Sequence, residues 1–378
     1  MKKIQLHAYA KINLTLDVTG RRPNGYHDVE MIMQQVSLCD IITVGWEPDP
    51  GSEGIGIRLE VSRPDLPADA SNLAWKAAEA MIAGFGGPVG GGSEAAAADA
   101  GAAVSPGANC PETSRPNAGS SRDGNPGDGN PGASSSKGPG TDIEDAAGTS
   151  PGGGVLSIHI QKNIPMAAGL AGGSSNCAAV LHGINQLWDL GLSVKELCEI
   201  GAKLGSDVPF CIMGQAAAEE SLQETFKDDP DACHCALATG TGTDLEPLPG
   251  LKSYVVLSKP AIGVSTAEVY QGIDKEGIPE HPDQTAVRAA ICENNYKVLE
   301  EKMVNVLENF TLKRYPIIVY TKNMMSDLCQ SAEIPDCVMM SGSGPTVFCL
   351  CEKASDAQRI CEAMLPHNPE SFVAKTTA

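Results

Sequence analysis

The sequence predicts an α+β fold with two domains. The chain has 378 residues, and a domain commonly takes about 100–200 residues, so two domains are expected. Hydrophobic residues make up 42% of the chain, which is enough for an ordinary core. Alternating apolar segments are mixed with amphipathic helical segments. They do not follow the strict strand–helix alternation of a parallel α/β sheet.

Charge and composition exclude several classes of partner. The formal net charge is −20, so nucleic acid and anionic membranes would be repelled, although a single pocket can still be locally positive. No stretch of about 20 apolar residues occurs, which argues against a transmembrane helix. The N-terminus lacks an apolar signal core, because His7, Lys11 and Asn13 interrupt it. We therefore expect a cytoplasmic protein whose thirteen cysteines are reduced and mostly buried.

The N-terminal segments predict two strands and a helix. Residues 4–16 alternate partly and predict a strand, and residues 29–44 predict a second one. Between them, residues 21–25 have the composition of a turn. Residues 71–85 predict a helix with Ser71 as its N-cap.

Two segments interrupt this pattern. Residues 86–153 are dominated by Gly, Ala, Ser and Pro, and such a chain buries too little apolar surface to offset its ordering entropy, so we expect disorder. Residues 218–235 are acidic and predict a second, exposed polar insertion. The dense Cys233-His234-Cys235 cluster at its end lacks a second ligand pair, so a zinc site is not expected.

The remaining segments alternate between both types of element. A strand is predicted from Val155, followed by a glycine-rich turn. The later predictions are helices over 174–190 and 193–204, a strand over 253–258, helices over 266–273 and 285–309, strands over 337–340 and 346–351, and a helix over 355–365.

The glycine-rich turn is the strongest local motif. It contains Pro165, Gly169-Leu170, Gly172-Gly173 and Ser174-Ser175, and it lies between a strand and a helix. Glycines let the backbone approach a ligand closely, and the free N–H groups of a helix start attract an anion. The motif therefore predicts a phosphate site, although a glycine turn with a serine cap is the alternative. It is not a Walker loop, because no Gly-Lys-Ser/Thr occurs.

Three weaker motifs accompany this turn. Lys11 and Asn13 are two residues apart and share one face of a strand, either as a functional pair or as a solvated edge. Asp207 precedes an apolar run, either as a helix cap or as a general base. A second glycine turn contains Gly342, Ser343 and Gly344, and it is weak evidence when taken alone.

Together and in this order, the four motifs resemble those of the GHMP kinase superfamily. The resemblance implies a ribosomal protein S5 domain 2-like N-terminal domain over residues 1–236 and a ferredoxin-like C-terminal domain over residues 237–378. Finer features, including Gly25-Tyr26-His27 and KNIPMAAGLAGGSSNCAAVL, resemble the diphosphocytidyl-methylerythritol kinases within it.

The resemblance also implies roles for individual residues. Lys11 and Asp207 match the catalytic pair, Asn13 and Thr266 the acceptor hydroxyl site, and Asn72 a position near adenine. The positions that hold cytosine match Tyr26, His27 and Tyr270. The triphosphate loop matches Pro165, Gly169, Leu170, Gly172, Gly173, Ser174 and Ser175, with Ser174 as a candidate metal ligand. Met33 stands where an aromatic residue often lies near the cytosine.

The implied reaction moves the γ-phosphoryl group of ATP, with Mg²⁺, to the 2-hydroxyl of a cytidine diphosphate-linked polyol. The implied partners are therefore small molecules, with neither nucleic acid nor membrane, and the protein is expected as a monomer or homodimer. Two alternatives remain at this point. One is another GHMP kinase, acting on homoserine, mevalonate or a sugar, and the other is a catalytically silent binding protein of the same fold.

Overall fold

The computed structural model describes residues 1–23, 25–86 and 152–378, and these residues belong to one compact unit. Strands and helices are mixed throughout, as the predicted α+β class requires. The predicted low-complexity insertion at 86–153 lies almost entirely outside the described residues, as does Asn24 in the predicted turn at 21–25.

A six-stranded sheet forms the larger half of the fold. Its strands are β1 (Lys2–Arg21), β2 (His27–Pro48), β3 (Ile55–Val61), β4 (Gly154–Gln161), β5 (Cys235–Thr239) and β6 (Asp244–Leu248). Strand β1 pairs with the whole length of β2. The other edge of β2 is shared between β4 and β5, and β3 and β6 pair with these two strands. Only the β3–β4 pair is parallel. This sheet continues past the predicted domain boundary at 236.

Strand β1 is long because its apolar residues alternate, and it bends where the alternation breaks. Its pairing with β2 shifts register between Tyr9 and Ala10 and again between Asn13 and Thr15. Such bulges re-aim side chains next to a site. Lys11 and Asn13 lie between the two shifts and are buried, so they do not form a solvated edge.

Five helices belong to this half: α1 (Leu73–Met81), α2 (Gly172–Leu187), α3 (Val194–Gly201), α4 (Val208–Ala218) and α5 (Glu220–Phe226). A π-helical turn, Ile82–Gly86, continues α1. The N-cap of α1 is Asn72, whose side chain accepts a hydrogen bond from the Ala74 N–H. The prediction of Ser71 as the cap was therefore wrong. The core between sheet and helices is mostly aliphatic and includes Leu181 and Ile158, with methionine, cysteine and a few aromatic side chains among them.

The acidic segment at 218–235 is not the exposed insertion that was predicted. It contains α5, whose Leu222 and Phe226 are buried four residues apart on one face of the helix. Cys233 is buried, and Cys235 begins β5. Glu220, Glu224 and Asp228 are exposed on the outer side of this segment, whereas Glu219 is buried.

The second sheet has the strand order expected of a ferredoxin-like fold. Its strands are β7 (Tyr254–Lys259), β8 (Val338–Met340), β9 (Val347–Cys351) and β10 (Glu370–Lys375), in the order β10–β7–β9–β8. Its helices are α6 (Thr266–Glu276), α7 (Gln284–Glu293), α8 (Tyr296–Lys302), α9 (Glu308–Arg314), α10 (Pro316–Ser331) and α11 (Ala354–Met364).

The single helix predicted over 285–309 is three helices. Asn294 ends α7 in the left-handed region, with a φ of 52°, and Asn295 caps α8. The chain then leaves the helix at Met303 and passes beside β1, where the Leu16 N–H donates to the Val304 carbonyl at 3.0 Å. The break brings Asn305 into contact with the second glycine turn.

The cysteines of the described residues are free thiols and most are buried, in agreement with the sequence. Within the same residues, no helix is long and apolar enough to cross a membrane.

Candidate active site

A cavity of about 1130 Å³ lies where the loops of the two sheets meet. It is lined by β1, the first glycine turn, the segment before α4, the start of α6 and the second glycine turn. Four basic side chains and two carboxylates line it: Lys11, Arg21, Lys162, Lys203, Asp207 and Asp274. Basic groups still outnumber carboxylates when Asp40, the buried partner of Lys162, is included, and this local excess within a chain of net charge −20 favours an anionic ligand.

Lys11 and Asp207 meet in this cavity. The Lys11 ammonium lies 3.6 Å from the Asp207 carboxylate and donates to Asn13 Oδ1 at 2.7 Å. The Lys11 residue is only 4% exposed, so its position is set by the bulged strand. Asp207 occupies the N-cap position of α4, but its side chain makes no capping hydrogen bond. The carboxylate is instead held beside an ammonium group, in a position to accept a proton from a ligand hydroxyl.

The first glycine turn runs from Pro165 into α2 and forms one wall of the cavity. Its backbone is tied to β1, because the Lys11 N–H donates to the Leu170 carbonyl at 3.2 Å. Ala171 precedes α2 with a φ of 55° and provides no side-chain cap. No side chain therefore caps the first N–H groups of α2. Uncapped N–H groups at a helix start can bind an anion.

The two glycine turns pack backbone against backbone. Gly169 has a φ of +73°, and a Cβ there would lie 2.2 Å from the Ser341 carbonyl oxygen. The Ser341 hydroxyl donates to the Gly169 carbonyl at 2.9 Å. A side chain at Gly169 would separate the turns, so the glycine is required for the close approach.

The two serines at the start of α2 have different surroundings. Ser174 is half-buried in the first turn of the helix. Ser175 is fully buried, and its hydroxyl donates to the Tyr9 carbonyl at 2.6 Å. Gln215 donates to the Ser175 carbonyl at 2.9 Å. The Ser175 side chain therefore anchors α2 to β1 and faces away from the cavity.

The second glycine turn brings a pair of hydroxyl groups to the cavity. Ser343 and Thr266 line it together with Gly342 and Gly344, and their Oγ atoms are 2.9 Å apart. Asn305 holds the turn from behind by donating to the carbonyls of Met340 and Gly342, each at 2.8 Å.

Aromatic side chains lie at another part of the cavity. The rings of His27 and Tyr270 are 4.9 Å apart, centroid to centroid, and tilted by 32°. Burial, followed by the charge of Asp207, raises the pKa of Tyr270, so its hydroxyl stays protonated. Tyr26 lines the same region and is 66% exposed.

Asp274 orients the His27 ring. Its carboxylate lies 2.7 Å from His27 Nε2 and 3.3 Å from a guanidinium nitrogen of Arg21. Because an ionised carboxylate only accepts, Nε2 carries the proton, and Nδ1 of the neutral ring is an acceptor. The ring is thus fixed both by stacking and by a hydrogen bond.

Five residues singled out in the sequence lie outside the cavity lining, namely Asn13, Met33, Asn72, Ser174 and Ser175. The Asn72 amide is engaged on both sides, accepting from the Ala74 N–H and donating to the Pro67 carbonyl, so its contact with adenine stays a prediction. Met33 is fully buried in β2. Met31 and Met166 line the cavity instead, and Asn13 Nδ2 lies 3.2 Å from the Met31 sulfur.

The chain is similar to known kinases over nearly its whole length. Residues 141–215 match the family described as GHMP kinases N terminal domain, and residues 287–369 match GHMP kinases C terminal. The 4-diphosphocytidyl-2-C-methyl-D-erythritol kinase of Alkaliphilus metalliredigens is 38% identical over 349 residues, which cover 92% of this chain and 88% of that protein. The protein of the same name from Geobacillus kaustophilus is 36% identical, covering 95% and 91%.

This chain belongs to the 4-diphosphocytidyl-2-C-methyl-D-erythritol kinase family.

Solved structures agree on the fold. A 4-(cytidine 5'-diphospho)-2C-methyl-D-erythritol kinase is similar with a TM-score of 0.63 at 23% identity, covering 99% of this chain and 100% of that one. Homoserine kinase from Cytophaga hutchinsonii is similar with a TM-score of 0.58 at 16% identity, covering 100% and 96%. These likenesses establish the two-domain GHMP kinase fold of this kinase family member.

Several residues that shape the site in this kinase family member were not predicted. Asp40, Gln215, Asp274 and Asn305 each hold a predicted residue or turn in place. Each is a single polar residue in an otherwise ordinary segment, and its partner comes from a distant part of the chain. Only Asn305 left a local signal, since a polar residue following Val304 interrupts the helical pattern.

Proposed function

We propose that this protein transfers the γ-phosphoryl group of ATP to the 2-hydroxyl of 4-diphosphocytidyl-2-C-methyl-D-erythritol. The observation that carries the proposal is the Lys11–Asp207 pair, with its 3.6 Å separation, in the same cavity as the uncapped start of α2. Phosphoryl transfer depends mainly on positioning and electrostatic stabilisation, and this cavity supplies both.

The triphosphate is proposed to lie on the first glycine turn. Gly169, Leu170, Gly172 and Gly173 line the cavity there, and the N–H groups at the start of α2 would bind phosphate oxygens. Pro165 sets the entry to the turn. Ser174 is the side chain proposed to reach the phosphates, whereas Ser175 acts from behind by fixing α2 on β1.

Mg²⁺ fits this site mainly through the nucleotide. Within the described residues, no group of three or more His, Cys, Asp or Glu side chains could hold a metal ion. Magnesium often keeps several waters and binds one or two protein ligands together with substrate phosphates. The Ser174 hydroxyl is the proposed protein ligand, and the ion would neutralise charge on the phosphates.

Asp207 is proposed to accept the proton of the acceptor hydroxyl while the hydroxyl oxygen attacks the γ-phosphorus of ATP, and the bond from that phosphorus to the bridging oxygen breaks to release ADP. Lys11 offsets the charge of this carboxylate and the charge that develops on the transferring group. Asn13 holds the Lys11 ammonium from one side. The Thr266–Ser343 hydroxyl pair is proposed to orient the polyol of the acceptor against Asp207.

The aromatic part of the cavity is proposed to bind the cytosine. His27, Tyr26 and Tyr270 offer ring faces and one ring acceptor, and stacking on an aromatic side chain is worth about 1–3 kcal/mol per base in nucleic-acid binders. A cytidine diphosphate-linked acceptor would reach from this region to Asp207 within one cavity. With ATP and such an acceptor as its small-molecule partners, the protein is proposed to act in the cytoplasm.

A coupled ADP-release assay tests the proposal. The purified protein is incubated with ATP, Mg²⁺ and, in parallel, 4-diphosphocytidyl-2-C-methyl-D-erythritol, homoserine, mevalonate and a panel of sugars. We expect ADP release only with the cytidine-linked acceptor. Faster turnover of another alcohol would overturn the substrate assignment, and the absence of transfer to every acceptor by a folded, ATP-binding protein would indicate a silent binding protein.

A further inference from the structure

A buried carboxylate lies directly behind the first glycine turn. Asp40, in β2, is fully inaccessible to solvent. Its Oδ1 accepts hydrogen bonds from the N–H groups of Asn163 and Ile164, at 2.7 and 2.8 Å. Its Oδ2 accepts from Asn176 Nδ2 at 2.8 Å and forms an ion pair with the Lys162 ammonium. Both carboxylate oxygens are thus fully used.

These donors come from the two ends of the turn. Asn163 and Ile164 immediately precede Pro165, where the turn begins, and Asn176 lies in α2, where it ends. One side chain therefore ties the entry of the turn to its exit. Because a carboxylate accepts from four donors at once, the distance between the two ends is fixed to within hydrogen-bond tolerance.

The Lys162 ammonium extends this arrangement to the start of the helix. A Cβ added at Gly172 would lie 2.7 Å from Lys162 Nζ, so the ammonium packs against the first residue of α2. Burial lowers the pKa of Lys162, and the adjacent Asp40 opposes that shift. The pair contributes no net charge to the cavity wall when both groups are ionised.

A buried ion pair is rarely explained by stability alone. Removing charges from water is costly, and hydrophobic side chains of similar volume often stabilise a fold equally well. Here the ionised carboxylate provides something that apolar residues cannot, namely four directed acceptor contacts at the base of a loop. An active-site loop needs such support if its N–H groups are to be aligned before the ligand arrives.

We propose that Asp40 is a positioning residue for the nucleotide. It holds both ends of the turn from Pro165 to Ser175, so that the N–H groups at the start of α2 point at the triphosphate. The inference rests on the proposed function in one respect, because it takes this turn as the triphosphate-binding site. It does not depend on the identity of the phosphoryl acceptor.

The test compares two variants with a matched control. Asp40→Asn keeps the shape but replaces one acceptor oxygen by an NH₂ group that faces the Asn176 and Lys162 donors. Asn176→Ala removes one anchor and leaves the buried charge paired. Asp17→Asn is the control, because Asp17 is also a buried carboxylate but pairs with His281 and the Val18 N–H. The Kd of ATP is measured by calorimetry on proteins whose circular dichroism matches wild type.

We expect Asp40→Asn to raise the Kd and KM of ATP at least tenfold and Asn176→Ala to raise them severalfold. The KM of the cytidine-linked acceptor should stay within twofold, and Asp17→Asn should leave the ATP values unchanged. Unchanged ATP binding in both variants would overturn the inference, and so would equal losses for ATP and acceptor. If Asp40→Asn does not fold, Asn176→Ala decides. The Kd of ATP is measured without an acceptor, so a wrong substrate assignment would leave this test unaffected.

Discussion

The phosphate end and the base end of the cavity are built in opposite ways. The phosphate end comprises the first glycine turn, the start of α2 and the Lys11–Asp207 pair. It rests on buried polar side chains, since Asp40 and Ser175 are 0% exposed and Lys11 is 4% exposed. The base end comprises Tyr26, His27, Tyr270 and Asp274, and Tyr26 is 66% exposed.

The difference indicates how each end contributes to the reaction. Groups locked in place before the ligand arrives cost little reorganisation when ATP binds and when the phosphoryl group is transferred, so they act on ATP binding and on kcat. An exposed aromatic side chain such as Tyr26 binds the ground state and the transition state about equally, so it acts on KM. Each prediction below would break or sharpen this division.

The largest effect is expected at the phosphate end, from Asp207→Ala. Loss of the proton acceptor should lower kcat by about 10²–10⁴-fold. The Kd of ATP should change little, because the proposed binding site of the triphosphate consists of backbone N–H groups. Steady-state kinetics and direct ATP binding measure both quantities. A kcat within a few-fold of wild type would remove Asp207 from the mechanism.

Gly169→Ala should break the contact between the two glycine turns. The new Cβ would lie 2.2 Å from the Ser341 carbonyl oxygen, at a φ of +73°, so both steric overlap and backbone strain are expected. Unfavourable backbone conformations alone cost about 1–3 kcal/mol. Activity should fall at least tenfold, with a lower melting temperature. Gly84→Ala, where nothing lies within 4 Å of the new Cβ, is the control, and equal behaviour of the two variants would contradict the prediction.

At the base end, Tyr26→Ala should raise the KM of the cytidine-linked acceptor more than it lowers kcat. Loss of one stacking partner is worth about 1–3 kcal/mol, which corresponds to about 5–150-fold in KM. The KM of ATP should stay constant. Tyr320→Ala serves as a control, since Tyr320 is 50% exposed but lies outside the cavity. A loss confined to kcat would place Tyr26 among the reacting groups instead.

The smallest expected effect is a pH dependence of stability, which arises from a buried histidine in α2, the helix that begins at the phosphate end. Burial lowers the pKa of His182, in α2, from 6.5 to about 4. Below pH 6.5 the unfolded chain binds a proton that the folded chain does not, so stability falls as the pH drops from about 6.5 towards 4. Between pH 7 and pH 5 this residue should cost about 2 kcal/mol.

Denaturant unfolding at both pH values, for wild type and for His182→Leu, isolates this effect. The variant removes the buried imidazole while keeping an apolar side chain, so its stability should depend less on pH over this range. The same pH dependence in both proteins would show that other groups are responsible.

Local sequence was sufficient for elements whose pattern is uninterrupted. The alternation in β1, β2 and β4 and the apolar periodicity of α2 predicted these elements within a few residues of their bounds. The sequence-based predictions were wrong where the sequence carries two conflicting signals. In α5, charged residues surround the buried Leu222 and Phe226, and over 285–309 the helix-forming composition concealed the turn at Asn294.

The candidate site was predicted by motifs rather than by geometry. Lys11 and Asp207 are far apart in the sequence, and only the bulges of β1 and the start of α4 bring their side chains together. The opposite orientation of Ser175 could not be predicted, because it depends on its hydrogen bond to the Tyr9 carbonyl. Supporting residues such as Asp40 have no motif, since their partners lie far away in the sequence.

The described residues on either side of 87–151 meet beside the parallel pair of β3 and β4. A Cβ at Gly86, which ends the π-helical turn, would lie 2.8 Å from the Ile55 side chain, and Gly154, which begins β4, pairs with Ile55 itself. The chain therefore departs and returns at one corner of the sheet, and none of these three residues lines the cavity. Because the two ends lie together and away from the cavity, the number of residues between Gly86 and Gly154 can change while the reaction centre keeps its shape.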